Sequence, residues 1–219
     1  MTRTNTGWLV VLGVAAASCL SPSFANAIPN GGFDTVGAYG NPVTVPAPGS
    51  PASAAADWYT FLCAPGSSGT STLLPSTDPH GGGLMLAFST DGGFSGSCGN
   101  GLFAGLTSSL AVGSRGSFDI NVAAGTSGEI GFVNSGGAFD SGSSAFGPTG
   151  GWTNISFTNH DSPTGEVGFE IFSAGGGSLM LDNGVAPVPE SGTGGLLGAA
   201  LLLLLGSRWL TRRSGVPRP

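Results

Sequence analysis

Phe118-Asp119-Ile120-Asn121-Val122 alternates apolar and polar residues without a break, and Val167-Gly168-Phe169-Glu170-Ile171 does the same further on. A period of two turns successive side chains to opposite faces. Each stretch therefore predicts a strand with one face in a core and the other toward solvent. Working outward, Leu84-Met85-Leu86-Ala87-Phe88, Ile155-Ser156-Phe157 and Leu179-Met180-Leu181-Asp182 repeat the pattern. Gly101–Leu110 is read as one more strand. Clusters of Gly, Ser, Pro, Asn and Asp separate these runs, and none shows helical periodicity with caps. The segment predicts an all-β sandwich. Pro42–Ala54, Pro65–Pro79 and Asn134–Gly151 read as long surface loops.

The chain has 219 residues, among them 41 glycines and 15 prolines, and only 8% are charged. Twelve of its 13 phenylalanines lie between Ile28 and Pro187. Burying most of them offsets the entropy cost of so many glycines and argues against disorder. The same segment has one arginine against eleven acids, a formal charge of −10. That excludes nucleic-acid binding, which needs clustered Lys and Arg, and docking on an anionic membrane surface.

The two ends read as addresses. Arg3, the apolar run Gly7–Ala17 and Ala25-Asn26-Ala27 compose a secretory signal peptide with an A-x-A cleavage site. This predicts a helical signal segment over 1–27 and a domain over 28–187. At the other end, Ser191 to Ser207 is uncharged and long enough for a short membrane span. Arg208, Arg212 and Arg213 follow it and would stay cytoplasmic. The span is placed at about 193–210, with a basic tail over 208–219.

Val188-Pro189-Glu190-Ser191-Gly192, a Gly/Leu-rich helix and an Arg cluster, in that order, resemble a PEP-CTERM sorting signal. The five residues are similar to its VPDSG variant, with Glu190 in place of Asp; the common form has proline where this chain has Ser191. The resemblance covers 188–219. It implies an exosortase-type processing enzyme, a transient inner-membrane anchor and a cell-surface or exopolysaccharide-matrix destination in a Gram-negative bacterium.

The domain carries a second resemblance. Asn30-Gly31-Gly32-Phe33-Asp34 opens it, Asp57-Trp58-Tyr59, His80-Gly81-Gly82-Gly83-Leu84-Met85-Leu86, the central Phe118–Val122 strand and Trp152-Thr153-Asn154-Ile155 follow, and Leu179-Met180-Leu181-Asp182-Asn183 closes it. This order is similar to jelly-roll, galactose-binding-like carbohydrate-binding modules. Those modules join their chain ends at a structural calcium. The matching acids here are Asp34 and Asp182; the bland alternative makes them separate turn and strand-end residues.

Catalytic signatures are thin. Gly-x-Ser-x-Gly and His-Glu-x-x-His are absent. Glu166 and Glu170 fall on one strand face about 13 Å apart at roughly 3.3 Å per residue, farther than glycosidase carboxylates stand, and read as a solvated face. His80 and His160 read as surface histidines. Trp58, Tyr59 and Trp152 are either core residues or platforms for a sugar ring. Once the signal is removed two cysteines remain, Cys63 and Cys98; an even count in an oxidising compartment favours a disulfide over two free thiols. The reading is of an exported, non-enzymatic surface or matrix protein. A carbohydrate-binding module with a defined glycan site is the alternative, and a secreted hydrolase or lyase the remote one.

Overall fold

The computed structural model describes residues 24–46, 52–63, 65–92, 98–134 and 136–189. Asn26–Val188 forms one compact unit. Of the expected signal helix over 1–27, residues 1–23 lie outside the described residues, as do Glu190–Gly192 of the sorting motif, the span and Arg208, Arg212 and Arg213; Phe24–Asn26 is a strand and not helix. Among those described there is no α-helix, and no helix long and apolar enough to cross a membrane.

In chain order the strands are β1 (Phe24–Asn26), β2 (Val43–Pro46), β3 (Trp58–Leu62), β4 (Ser68–Pro75), β5 (Leu84–Thr90) and β6 (Asn100–Leu110). Then come β7 (Arg115–Val122), β8 (Gly128–Val133), β9 (Ser144–Phe146), β10 (Thr153–Thr158), β11 (Thr164–Ile171), β12 (Gly177–Val185) and β13 (Pro187–Pro189). One sheet has six strands in the order β10-β7-β12-β5-β4-β2. The other has five, β3-β6-β11-β8-β9, while β1 and β13 form a two-stranded sheet of their own. Within the two larger sheets every pairing is antiparallel. The chain crosses between them after β2, β3, β5, β6, β7, β9, β10 and β11, the connectivity of a jelly-roll sandwich. The all-β expectation holds.

The alternating runs meet as the period requires. Leu86, Phe88, Phe118, Ile120 and Leu181 come from the six-stranded sheet, and Leu102, Ile130, Phe132, Val167 and Phe169 from the other; all are buried. Phe88 meets Phe169 edge-on at 5.4 Å, and Phe132 meets Phe157 at 4.8 Å. Such pairs add about 0.5–1.5 kcal/mol beyond the area they bury.

All three expected loops contain strands: β2 in Pro42–Ala54, β4 in Pro65–Pro79 and β9 in Asn134–Gly151. β4 is Ser-Gly-Thr-Ser-Thr-Leu-Leu-Pro, a composition that reads as a turn. It is nevertheless an interior strand between β5 and β2. Gly69 is one reason: a Cβ there would stand 2.9 Å from Leu62 and 3.1 Å from Phe88, so the two sheets approach closely only over a residue without a side chain. β3 and β8 are also strands that the alternating runs above did not include. Cys63 follows β3 and Cys98 precedes β6. They form the expected disulfide, with 5.9 Å between Cα atoms, and it ties the end of β3 to the start of β6, its antiparallel partner in the five-stranded sheet.

Candidate functional site

The outer face of the five-stranded sheet is built in rows. Tyr59, Phe103, Gly168 and Gly131 are successive cross-strand partners, and the adjoining row runs Phe61, Gly101, Glu170, Glu129 and Ala145. Glycines thus occupy the middle of the face. A Cβ on Gly168 would collide with the Phe103 ring, and one on Gly131 with Ser143. The Phe103 ring fills the room over Gly168. Phe103 lies 6.0 Å from Tyr59, 5.6 Å from Phe61 and 6.0 Å from Phe139, centroid to centroid. Phe103 is itself buried but stands outside the core cluster; Tyr59 and Phe139 are half-buried, and Phe61 is 40% exposed. Beside Tyr59 opens a cavity of about 390 Å³ lined by Ala38, Tyr39, Ser53, Ala55 and Asp57, and Tyr39 is 61% exposed.

Three carboxylates share this face. The Tyr59 hydroxyl donates to Glu166, and the Ser143 hydroxyl donates to Glu129. Glu170 is only 7% exposed and accepts the Gly99 N–H at 2.8 Å. The expectation of a solvated glutamate face therefore fails at Glu170. Strand parity does point it away from the core, but the surrounding rows cover it. Burial raises the pKa of Glu166 and of Glu170; for Glu170 the Gly99 bond opposes the shift and the charge of Glu129, directly opposite, adds to it.

The six-stranded sheet presents a different outer face. Thr70, Thr72, Ser89, Asn121, Ser178 and Met180 line a shallow groove of about 270 Å³. At one end of the same face the acids gather. Asp182, within β12, is fully buried and accepts the Ser76 hydroxyl and the Asn183 N–H. Burial raises its pKa, those bonds oppose the shift, and the charges of Asp78 and Asp34 add to it. Asp34 accepts the Leu84 N–H at 3.1 Å. Both Asp34 and Asp182 press on one glycine turn: a Cβ on Gly83 would collide with the former, and one on Gly81 with the latter. Beside them, donor atoms of Asp78, His80 and Asp119 lie within 4.8 Å of one another. The Asn183 amide bridges Asp78 and Asp119 at 3.0 Å each, and Asn154 donates to Asp119 at 2.9 Å.

The residues singled out in the sequence separate as follows. Trp58 is 4% exposed and sits in the core against Phe33 at 5.3 Å and Phe118 at 5.9 Å, its indole N–H on the Pro29 carbonyl. As the first residue of β3 it takes the inward parity, and it reaches the cavity beside Tyr59 only at its wall. Tyr59, one residue on, takes the outward parity and joins the aromatic cluster. Trp152 is half-buried at the start of β10, donating to Thr77 at 3.3 Å, so it borders the acid cluster and not the other aromatics. Asp34 and Asp182 are brought to one turn. Reading the sequence missed Phe61, Phe103 and Phe139 as a surface group and Asp78 and Asp119 as neighbours of Asp182. The Phe residues were counted as core. Phe61 has the parity of Tyr59, which was the available signal.

No protein-family profile matches the chain, and no curated protein sequence does. Solved structures resemble its fold. An arabinose-bound α-L-arabinofuranosidase superposes with a TM-score of 0.50 at 15% identity, over 75% of this chain and 26% of that one. The chain thus spans about a quarter of that enzyme's length. A family 11 carbohydrate-binding module from Clostridium thermocellum, in complex with a β-1,3-1,4-mixed-linked tetrasaccharide, gives a TM-score of 0.45 at 12% identity. There the match covers 67% of this chain and 95% of the module. A family 29 module complexed with cellulohexaose gives 0.40 at 11% identity, over 67% and 92%. At such identities the likeness is one of fold.

Proposed function

We propose that the chain is an exported bacterial surface or matrix protein whose sandwich holds a neutral glycan on the outer face of its five-stranded sheet. The observation that carries this reading is the ring cluster Tyr59, Phe61, Phe103 and Phe139 on the side away from the core. A sheet needs no such cluster there for its own stability, whereas a sugar ring lays its apolar face on an aromatic side chain. The charge of the domain sets the glycan's class. With one arginine, no lysine and eleven acids between Ile28 and Pro187, an acidic polysaccharide would be repelled. Binding of the full-length protein to immobilised neutral glucans and galactans, with polygalacturonate as the acidic control, tests this. Equal or stronger retention by the acidic polymer would overturn it.

The same proposal includes a non-enzymatic role. What favours a hydrolase is the Glu129–Glu170 pair, direct cross-strand neighbours. Against it, Glu170 is buried and one of its oxygens is engaged by Gly99. Release of reducing ends from a bound glycan would favour the hydrolase.

Two further parts of the reading rest on residue type. Asp34, Asp78 and Asp182 are hard oxygen donors of the kind calcium takes, and a divalent cation would offset the charges of Asp78 and Asp34, which add to burial in raising the Asp182 pKa. The Val188–Gly192 motif with its arginine cluster supports exosortase-type processing near Pro189–Ser191 after a transient inner-membrane stage. C-terminal peptides reaching Pro219 in the mature surface protein would rule that out.

A further inference from the structure

Two overlapping small-x-small triplets end the apolar leader. Ala25-Asn26-Ala27 is the more obvious one, and cleavage after it would start the mature chain at Ile28. The fold argues against that start. Asn26 staples the opening of the domain to its end. Its amide donates to the Gly184 carbonyl at 2.7 Å, and its carbonyl oxygen accepts the N–H of Ala186 at 2.8 Å and of Ile28 at 3.1 Å. The Ala27 N–H donates to the Ala186 carbonyl at 2.9 Å, and the Ala27 carbonyl accepts the Thr107 N–H at 2.9 Å. Ala27 and Ala186 are fully buried, and Ile28 is 2% exposed.

Cutting after Ala27 would strip all of these partners at once. The N–H of Ala186 and of Thr107 and the carbonyls of Gly184 and Ala186 would each lose a hydrogen bond. The cut would also create an α-ammonium group on buried Ile28, where a charge without a partner is costly. Two residues earlier, Ser23-Phe24-Ala25 presents the same small residues at the first and third positions. A cut there leaves Asn26 and Ala27 in place, puts the new ammonium on exposed Asn26, and matches the first residue of the compact unit.

We infer that signal peptidase acts between Ala25 and Asn26, so that the mature protein begins with its own clasp residue. This rests on the export reading, and the experiment separates the two. The full precursor is expressed in a Gram-negative host, and N-terminal peptides are mapped from the envelope fraction. The expected principal start is Asn26. Ser23→Arg, which spoils only the upstream triplet, is expected to abolish the Asn26 start. A principal start at Ile28 in the wild-type protein overturns the inference while leaving export intact. A wild-type chain that keeps Met1 and stays in the cytoplasm overturns the export reading and the inference with it.

Discussion

The two outer faces of the sandwich begin from one pattern and end in different chemistry. Along β7 and β12, the outward positions of the six-stranded sheet carry Ser117, Asp119, Asn121, Met180 and Asp182, while along β3, β6 and β11 the outward positions of the five-stranded sheet carry Tyr59, Phe61, Phe103, Gly168 and Glu170. On the first face carboxylates meet amide donors: Asp119 accepts from both Asn154 and Asn183. On the second they meet rings and glycines. Alternation decides which side chains leave the core. It is silent on what they find outside, because that depends on cross-strand register, a long-range property.

The largest expected effect concerns what holds the aromatic face together. The Cys63–Cys98 bridge links β3 and β6, the two strands that carry Tyr59, Phe61 and Phe103. With the cysteines 35 positions apart in sequence, its removal is expected to cost about 3–4 kcal/mol in the chain-entropy model. Urea melts of the Cys63→Ser, Cys98→Ser double variant against the oxidised protein measure it. An unchanged midpoint would show that the staple is dispensable.

Next in size is the cation on the other face. Any ion that binds only the folded state stabilises it by mass action, about 2.7 kcal/mol at a hundredfold excess over Kd. Chelation is therefore expected to lower the Tm, and Asp182→Asn to abolish the response. A Tm indifferent to chelator in the wild type would remove calcium from the six-stranded face and leave its acids as a hydrogen-bonded network.

Glycan affinity distinguishes the faces directly. Phe61→Ala truncates an exposed ring, and its expected cost is about 2 kcal/mol, the level of an interface hot spot, or about thirtyfold in Kd. Thr72→Ala and Ser89→Ala in the opposite groove are expected to leave binding unchanged. The reverse outcome would move the glycan to the six-stranded face, beside Trp152.

How much of this was legible in the sequence follows from range. The runs around Phe118 and Val167 showed their strands because alternation is local. β4 stayed hidden because Ser, Gly and Thr form turns when exposed and strands when a neighbouring sheet must come close, as at Gly69. Asp34 and Asp182 could be paired only through a resemblance to other modules, and the structure brings both to the Gly81–Gly83 turn. Asp119 stood in the central strand of that resemblance without a matching role, and Asp78 lay outside it. Trp58 and Tyr59 are adjacent, and parity alone separates them; without a register for β3 either could have faced out.

The smallest expected effect asks whether burial or donor supply sets the carboxylates of the aromatic face apart. Burial raises the Glu170 pKa above its ordinary 4.5, with a single backbone N–H opposing it. Its protonated form is thus the one that the fold favours. The folded state holds the proton to higher pH than the unfolded chain, so this contribution is full below the ordinary value and is lost as pH rises through the folded value. Asp140 is the counterpart: also buried, and pushed up by that burial, it accepts N–H groups from Gly142, His160 and Asp161, which together hold its pKa below 3.8. Its contribution is present above the ordinary aspartate value and is lost as pH falls through the lowered one. Glu170→Gln, which keeps the shape and removes the charge, is expected to melt higher than wild type, by a margin that widens as pH rises from acid to neutral. Asp140→Asn is expected to melt lower, by a deficit that widens over the same range. Thermal melts of both variants across pH give the two differences. If both have the same sign, burial alone governs these groups, and the contrast between starved and well-supplied carboxylates is wrong.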